Sequence, residues 1–316
     1  MEPSPWHQDT MLSAQMSGLT LDAPMTPNPS NRFRYTRFES YLAIIRAHLG
    51  EAHELLEFTD VPSDAFDLLS SHDDRPKLAV KLSYNYVSRT LSVKLHGPAH
   101  LLITGLFNEM VNRQAELTWG INDVLCCASP LTVLGNNGAW YAKEPDTCGL
   151  FWTGPAMQLA LRIVVVVGGV QCAGRLAEDA RVWLETSGST VEMVVTVDVS
   201  RCQEVLRVDV WERALGAGAV AVRAQYVEIL RGDGAGADPE VRGWKRNTGP
   251  NGSEVQMNGN SDLVWTDGLF LDLARVTGAP VGEPDRGVHL HKGVLQEFGA
   301  RFWRLLGEPL GDCEMN

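Results

Sequence analysis

The sequence predicts an α/β or α+β fold: a mixed central β-sheet flanked by helices, with one crossover helix between two neighbouring strands. Three observations carry this. Ile163–Val167 is an unbroken β-branched run with no polar face, which suits a strand covered on both sides. After it, Leu176, Ala180, Trp183 and Leu184 recur at helical spacing, with Glu178, Asp179, Arg181 and Glu185 turned the other way. The period then drops to two, placing Val191, Met193, Val195, Val197 and Val199 on one face. Strand, helix, strand is the unit that parallel neighbours need.

The other elements follow in order. Phe38, Tyr41, Leu42, Ile45 and Leu49 form the apolar stripe of an amphipathic helix. A second helix opens at Pro98, whose ring suits a first helical turn, and carries Ile103, Leu106, Phe107 and Met110 on one face. Leu131–Leu134 and Trp140–Ala142 read as short strands joined through Gly135-Asn136-Asn137-Gly138, a hairpin-type turn. Gly188 stands where the crossover helix should end. Leu206, Val208 and Val210 mark one later strand; Val220, Val222, Ala224 and Tyr226 mark the next. Leu295, Phe298, Phe302 and Leu305 form a closing helical face. Residues 1–30, with Pro3, Pro5, Pro24, Pro27 and Pro29 among Ser, Thr and Asn, are expected to be a flexible tail. Residues 231–262 have no defensible period and read as a long loop or insertion. The expected organisation is therefore a tail over 1–30, an α/β core over 31–230, the insertion, and a strand and helix over 263–316 that pack back on the core.

Charge narrows the function classes. With 39 acidic against 27 basic side chains, the net charge is −12, which argues against a general nucleic-acid coat because counterion release needs dense Lys and Arg. A local basic surface for DNA or RNA stays open. Its candidates are Arg32, Arg34 and Arg37, and the group Arg242, Trp244, Lys245 and Arg246, whose basic–aromatic mix single strands favour. That second group equally suits a solvated loop, the reading preferred here. No run approaches ~20 apolar residues, so no membrane span is expected. Glu2 and Asp9 stand where a signal peptide would be basic, so an intracellular location is expected. Six scattered cysteines without a C-x-x-C pattern read as reduced thiols. Nothing separates monomer from homo-oligomer.

Several chemistries fail on residue identity. Gly169 to Gly174 has P-loop glycine spacing, but Arg175 and Leu176 follow where Lys and Ser or Thr are required. There is no G-x-S-x-G elbow. His289 and His291 share one side of a predicted strand and could grip a metal, though a solvated pair is the simpler reading.

One constellation stands out. Lys143-Glu144-Pro145-Asp146 precedes the apolar strand that ends in Val167-Gly168, and the helix bearing Leu176, Glu178-Asp179-Ala180 and Trp183-Leu184 follows. An Asp on one strand with an acid on its neighbour is how two-carboxylate Mg²⁺ sites polarise a phosphate and activate water. The order resembles the PD-(D/E)XK nuclease-like superfamily, and within it the Uma2-like and fungal restriction-endonuclease-like proteins, over roughly His100 to Trp211. The resemblance implies a restriction-endonuclease-like core, a Mg²⁺-dependent endonuclease-type hydrolase, Asp146 as a metal ligand, and an acid on the apolar strand. That acid's position holds Val166, and no Asp or Glu occurs from Thr147 to Ala177. The preferred reading is thus a nuclease fold with a degenerate metal-dependent phosphodiesterase centre, without metal, acting by binding or as a structural module. Two alternatives stay open. One is an active Mg²⁺-dependent phosphodiesterase with migrated ligands: Asp146 with Glu178, Asp179 or Glu109 on the metal, Gln171 orienting phosphate and His100 assisting proton transfer. The other is a protein-interaction module unrelated to nucleases.

Overall fold

A computed structural model of the chain describes residues 31–49, 55–71, 80–120, 124–126, 130–135, 140–153, 158–168, 173–200, 203–214, 220–232, 237–246, 263–266, 268–277 and 287–307. The expected tail over 1–30, the turn at 136–138, Gln171 and residues 247–262 lie outside the described residues.

The chain begins with β1 (Arg32–Arg34), α1 (Phe38–His48), β2 (Leu55–Thr59), α2 (Ser63–Ser71), β3 (Val80–Asn85), β4 (Thr90–Leu95) and α3 (Pro98–Trp119). Next come β5 (Thr132–Leu134), β6 (Tyr141–Lys143), β7 (Thr147–Thr153), β8 (Gln158–Gly168), α4 (Ala173–Glu185) and β9 (Met193–Ser200). The last part holds β10 (Val205–Arg213), β11 (Ala221–Leu230), β12 (Glu240–Arg246), β13 (Leu263–Thr266), β14 (Gly268–Asp272), α5 (Leu273–Thr277), β15 (Gly287–His291) and α6 (Lys292–Leu306). The expected mixed α/β content is present. Its strands divide between a six-stranded sheet, β1-β2-β4-β3-β6-β5, a seven-stranded sheet, β13-β12-β11-β10-β9-β8-β7, and a β14-β15 ribbon.

Alternation builds the first sheet. Val80, Leu82 and Tyr84 on β3, and Leu91, Val93 and Leu95 on β4, are buried while their neighbours are not. α1 and α2 cover that face with Tyr41, Ile45, Phe66 and Leu69.

The second sheet explains why Ile163–Val167 has no wet face. β8 pairs antiparallel with β7 and parallel with β9, and α4 supplies the crossover. Ile163, Val165 and Val167 pack in a core with α3, α6 and the β14-β15 ribbon, through Ile103, Phe107, Leu269 and Phe298. Val164 and Val166 point to the opposite face and meet Leu176, Ala180, Trp183 and Leu184 of α4. Gly168 lets the two meet closely, since a Cβ there would lie 2.9 Å from a Leu176 methyl.

Part of the expected 231–262 loop is corrected by β12, which pairs with β11 from Gln225↔Lys245 to Leu230↔Glu240. Val241 and Gly243 are buried and Arg242 is exposed, so the period is two over a stretch too short and too rich in charge to stand out.

Glu144, Pro145 and Asp146 carry the chain from β6 in the first sheet to β7 in the second. The Glu144 N–H donates to Leu82 O (3.0 Å) and the Asp146 N–H to Val165 O (3.1 Å), so each end of the crossing extends a ladder. Among the described residues, no helix is long and apolar enough to cross a membrane.

Candidate functional site

The crossing buries a charge. Asp146, its side chain 2% exposed, sits where β7 begins. Its Oδ2 accepts the Val167 N–H at 2.7 Å, prolonging the β7-β8 ladder with a side chain in place of backbone. The same oxygen accepts from Lys94 Nζ at 2.7 Å. Lys94 is the last polar residue of β4 and reaches across the seam, where it also donates to the Val167 carbonyl. Its ammonium therefore lies between the Asp146 carboxylate and a backbone carbonyl of β8.

Two histidines close the other side. His96 follows β4 and His100 lies in the first turn of α3, with Gly97 and Pro98 starting the helix between them. Their rings stack with centroids 4.2 Å apart and planes 11° apart. The Nε2 atoms stand 3.4 Å (His96) and 3.2 Å (His100) from Asp146 Oδ1. Neither contact meets hydrogen-bond geometry, and His100 Nδ1 is also without a partner. Burial pushes His100 down to about 4, against the pull of the Asp146 carboxylate, so it is neutral at pH 7. Burial alone would raise the Asp146 pKa. Lys94 and then the histidines overcome that and hold it well below the carboxylate range.

On the solvent side of Asp146 lies a cavity of about 60 Å³, room for roughly four to six waters. Lys81, Lys94, Lys143 and Arg175 line it with Glu144, Asp146 and Asp179; Val166 and Leu82 add apolar wall. Lys143 bonds Asp179 and lies 6.0 Å over the Trp183 ring. Glu144 Oε2 accepts the Leu82 N–H at 2.9 Å, so this carboxylate is held at the sheet edge.

The structure thus brings together some of the expected site residues and separates others. Asp146 and His100 meet. Asp179 shares the cavity with Asp146 but is bound by Lys143. Glu178 is exposed on α4. Glu109 does not line this cavity; it forms a bidentate pair with Arg301 of α6, at 2.8 and 2.9 Å. Val166 does line it, in the place where the resemblance calls for an acid. Lys94 and His96 were not singled out from the sequence. The alternation of Leu91, Val93 and Leu95 and the His-x₃-His spacing were readable, but only the fold brings Lys94 to an aspartate 52 residues away.

Three of the basic candidates are engaged locally. Arg32 pairs with Glu57 (2.8 Å), Arg34 with Asp60 (3.0 Å) and Arg242 with Glu240 (2.8 Å). Lys245 and Arg246 lie at the end of β12. Trp244 stacks on Tyr226 at 4.7 Å, and the guanidinium groups of Arg207 and Arg223 lie over the same tyrosine at 4.8 and 4.5 Å. His289 and His291 are exposed together on β15, ring centroids 6.4 Å apart. No protein-family model matches the chain, and no curated protein matches it either.

Proposed function

We propose that the chain is a nuclease-like fold of the PD-(D/E)XK kind in which a lysine has replaced the divalent cation, so that the cavity binds a ligand and does not hydrolyse it. The observation that carries this is Lys94. Its ammonium bonds both Asp146 Oδ2 and the Val167 carbonyl, beside Val166. Mg²⁺ demands near-octahedral oxygen ligands and gives up water reluctantly, so it needs more than one carboxylate. Here one carboxylate is neutralised by Lys94 and the other candidate in the cavity, Asp179, by Lys143. These residues do not fit Mg²⁺. The lining carries four cations against three carboxylates, which suits an anionic group on the ligand.

The migrated-ligand reading has less support, because Glu109 and Glu178 lie away from the cavity lining. The test is to rebuild the pair of acids. Val166→Glu combined with Lys94→Ala should gain Mg²⁺ binding by calorimetry and a Mg²⁺-dependent rise in melting temperature. Val166→Glu alone, keeping the lysine, should gain neither. A double variant that folds yet ignores Mg²⁺ would sink the reading.

A further inference from the structure

We propose that His96, His100 and Asp146 form a site for a transition-metal dication of the zinc type, on the carboxylate oxygen opposite Lys94. All three donor atoms lie within 4.8 Å of one another, and their side chains are 7%, 1% and 2% exposed. At these distances it is alignment, rather than spacing, that separates a shared proton from a shared ion. Well-formed N–H···O bonds cluster at about 2.9–3.0 Å. Ligands bound tetrahedrally at about 2.0–2.2 Å stand about 3.3–3.6 Å apart. The two Nε2 atoms stand 3.4 and 3.2 Å from Oδ1 and are misaligned for hydrogen bonds.

The Nε2 atoms of His96 and His100 are buried beside the carboxylate yet meet no hydrogen-bond geometry to it. Both Nε2 edges face the same oxygen, and because the rings stack nearly parallel, one ring must turn for both in-plane lone pairs to meet a single ion. With one ring turned, a dication there satisfies all three donors. Two imidazoles and one carboxylate select zinc, cobalt or nickel over magnesium, which prefers oxygen alone. Water takes the fourth tetrahedral position. Neither histidine lines the cavity, so the ion would act structurally, tying the end of β4 and the first turn of α3 to the start of β7.

The inference is independent of the replaced-cation reading, which concerns Oδ2 and Mg²⁺. Its test uses the full chain, stripped with chelator and titrated with ZnCl₂ by calorimetry and with Co²⁺ by visible absorption. One ion per chain and the visible bands of tetrahedral Co²⁺ are expected. His96→Gln should weaken binding by more than the roughly 10–100-fold that losing an outer-shell partner costs. His96 is the less enclosed histidine, and circular dichroism checks that this variant folds. A His289→Ala/His291→Ala variant, which removes the exposed pair, should bind as the parent does. The proposal is overturned if no stoichiometric Zn²⁺ or Co²⁺ binds, if His96→Gln leaves affinity unchanged, or if the exposed pair proves to hold the ion.

Discussion

Asp146 stays ionised inside the protein because groups from β4, α3 and β8 converge on it: the Lys94 ammonium, the two imidazoles and the Val167 N–H. Such an arrangement ties stability to pH. In the metal-free chain, His100 titrates near 6.5 when unfolded and near 4 when folded, so between those values the unfolded state holds more protons. Its contribution, about 3 kcal/mol, is complete above pH 6.5, falls as pH drops and is gone by about pH 4. The depressed Asp146 carboxyl extends the loss to lower pH. Urea unfolding in chelator at pH 7 and 4.5 should show most of that loss, and His100→Gln should flatten it. Equal stability at both values in the parent would contradict the environment described for His100. At this scale, Asp146 and His100 were legible because a Pro-Asp pair and a helix-opening histidine are local features. Lys94 was not, since its meaning depends on a partner 52 residues on.

Among the elements, α4 does most to fix the seam. It packs Trp183, fully buried, with Leu176 and Leu184 against Val164 and Val166 of β8, and its first turns bring Arg175 and Asp179 to the cavity. Trp183→Ala should cost about 3–5 kcal/mol, a large share of an ordinary domain's stability. Trp183→Phe should cost far less, because the indole Nε1–H has no partner to lose. Denaturant midpoints separate the two; equal losses would mean that the indole N–H, not the volume, matters. The crossover unit was legible because each of its parts has a strong period: a β-branched run, a helical stripe and an alternating strand. β2, β3 and β4 carry an alternation of the same kind in shorter runs, and β12 lies hidden among glycine and charge. The pairing of β3 with β6, which places Lys94 beside the crossing, depends on long-range contacts that no local pattern encodes.

Across the whole molecule, the net charge of −12 says less than where charges meet. Arg32 and Arg34 on the N-terminal strand pair with Glu57 and Asp60, and Arg242 on β12 pairs with Glu240. At the junction of the two large sheets, Lys94 and Lys143 are likewise matched to Asp146 and Asp179. The central claim is that Lys94 fills the cation position. Calorimetric titration of the unaltered chain with Mg²⁺ tests it most directly. The account predicts no stoichiometric heat, and no difference between the parent and Asp146→Asn. A one-to-one Mg²⁺ site that disappears in Asp146→Asn would contradict it.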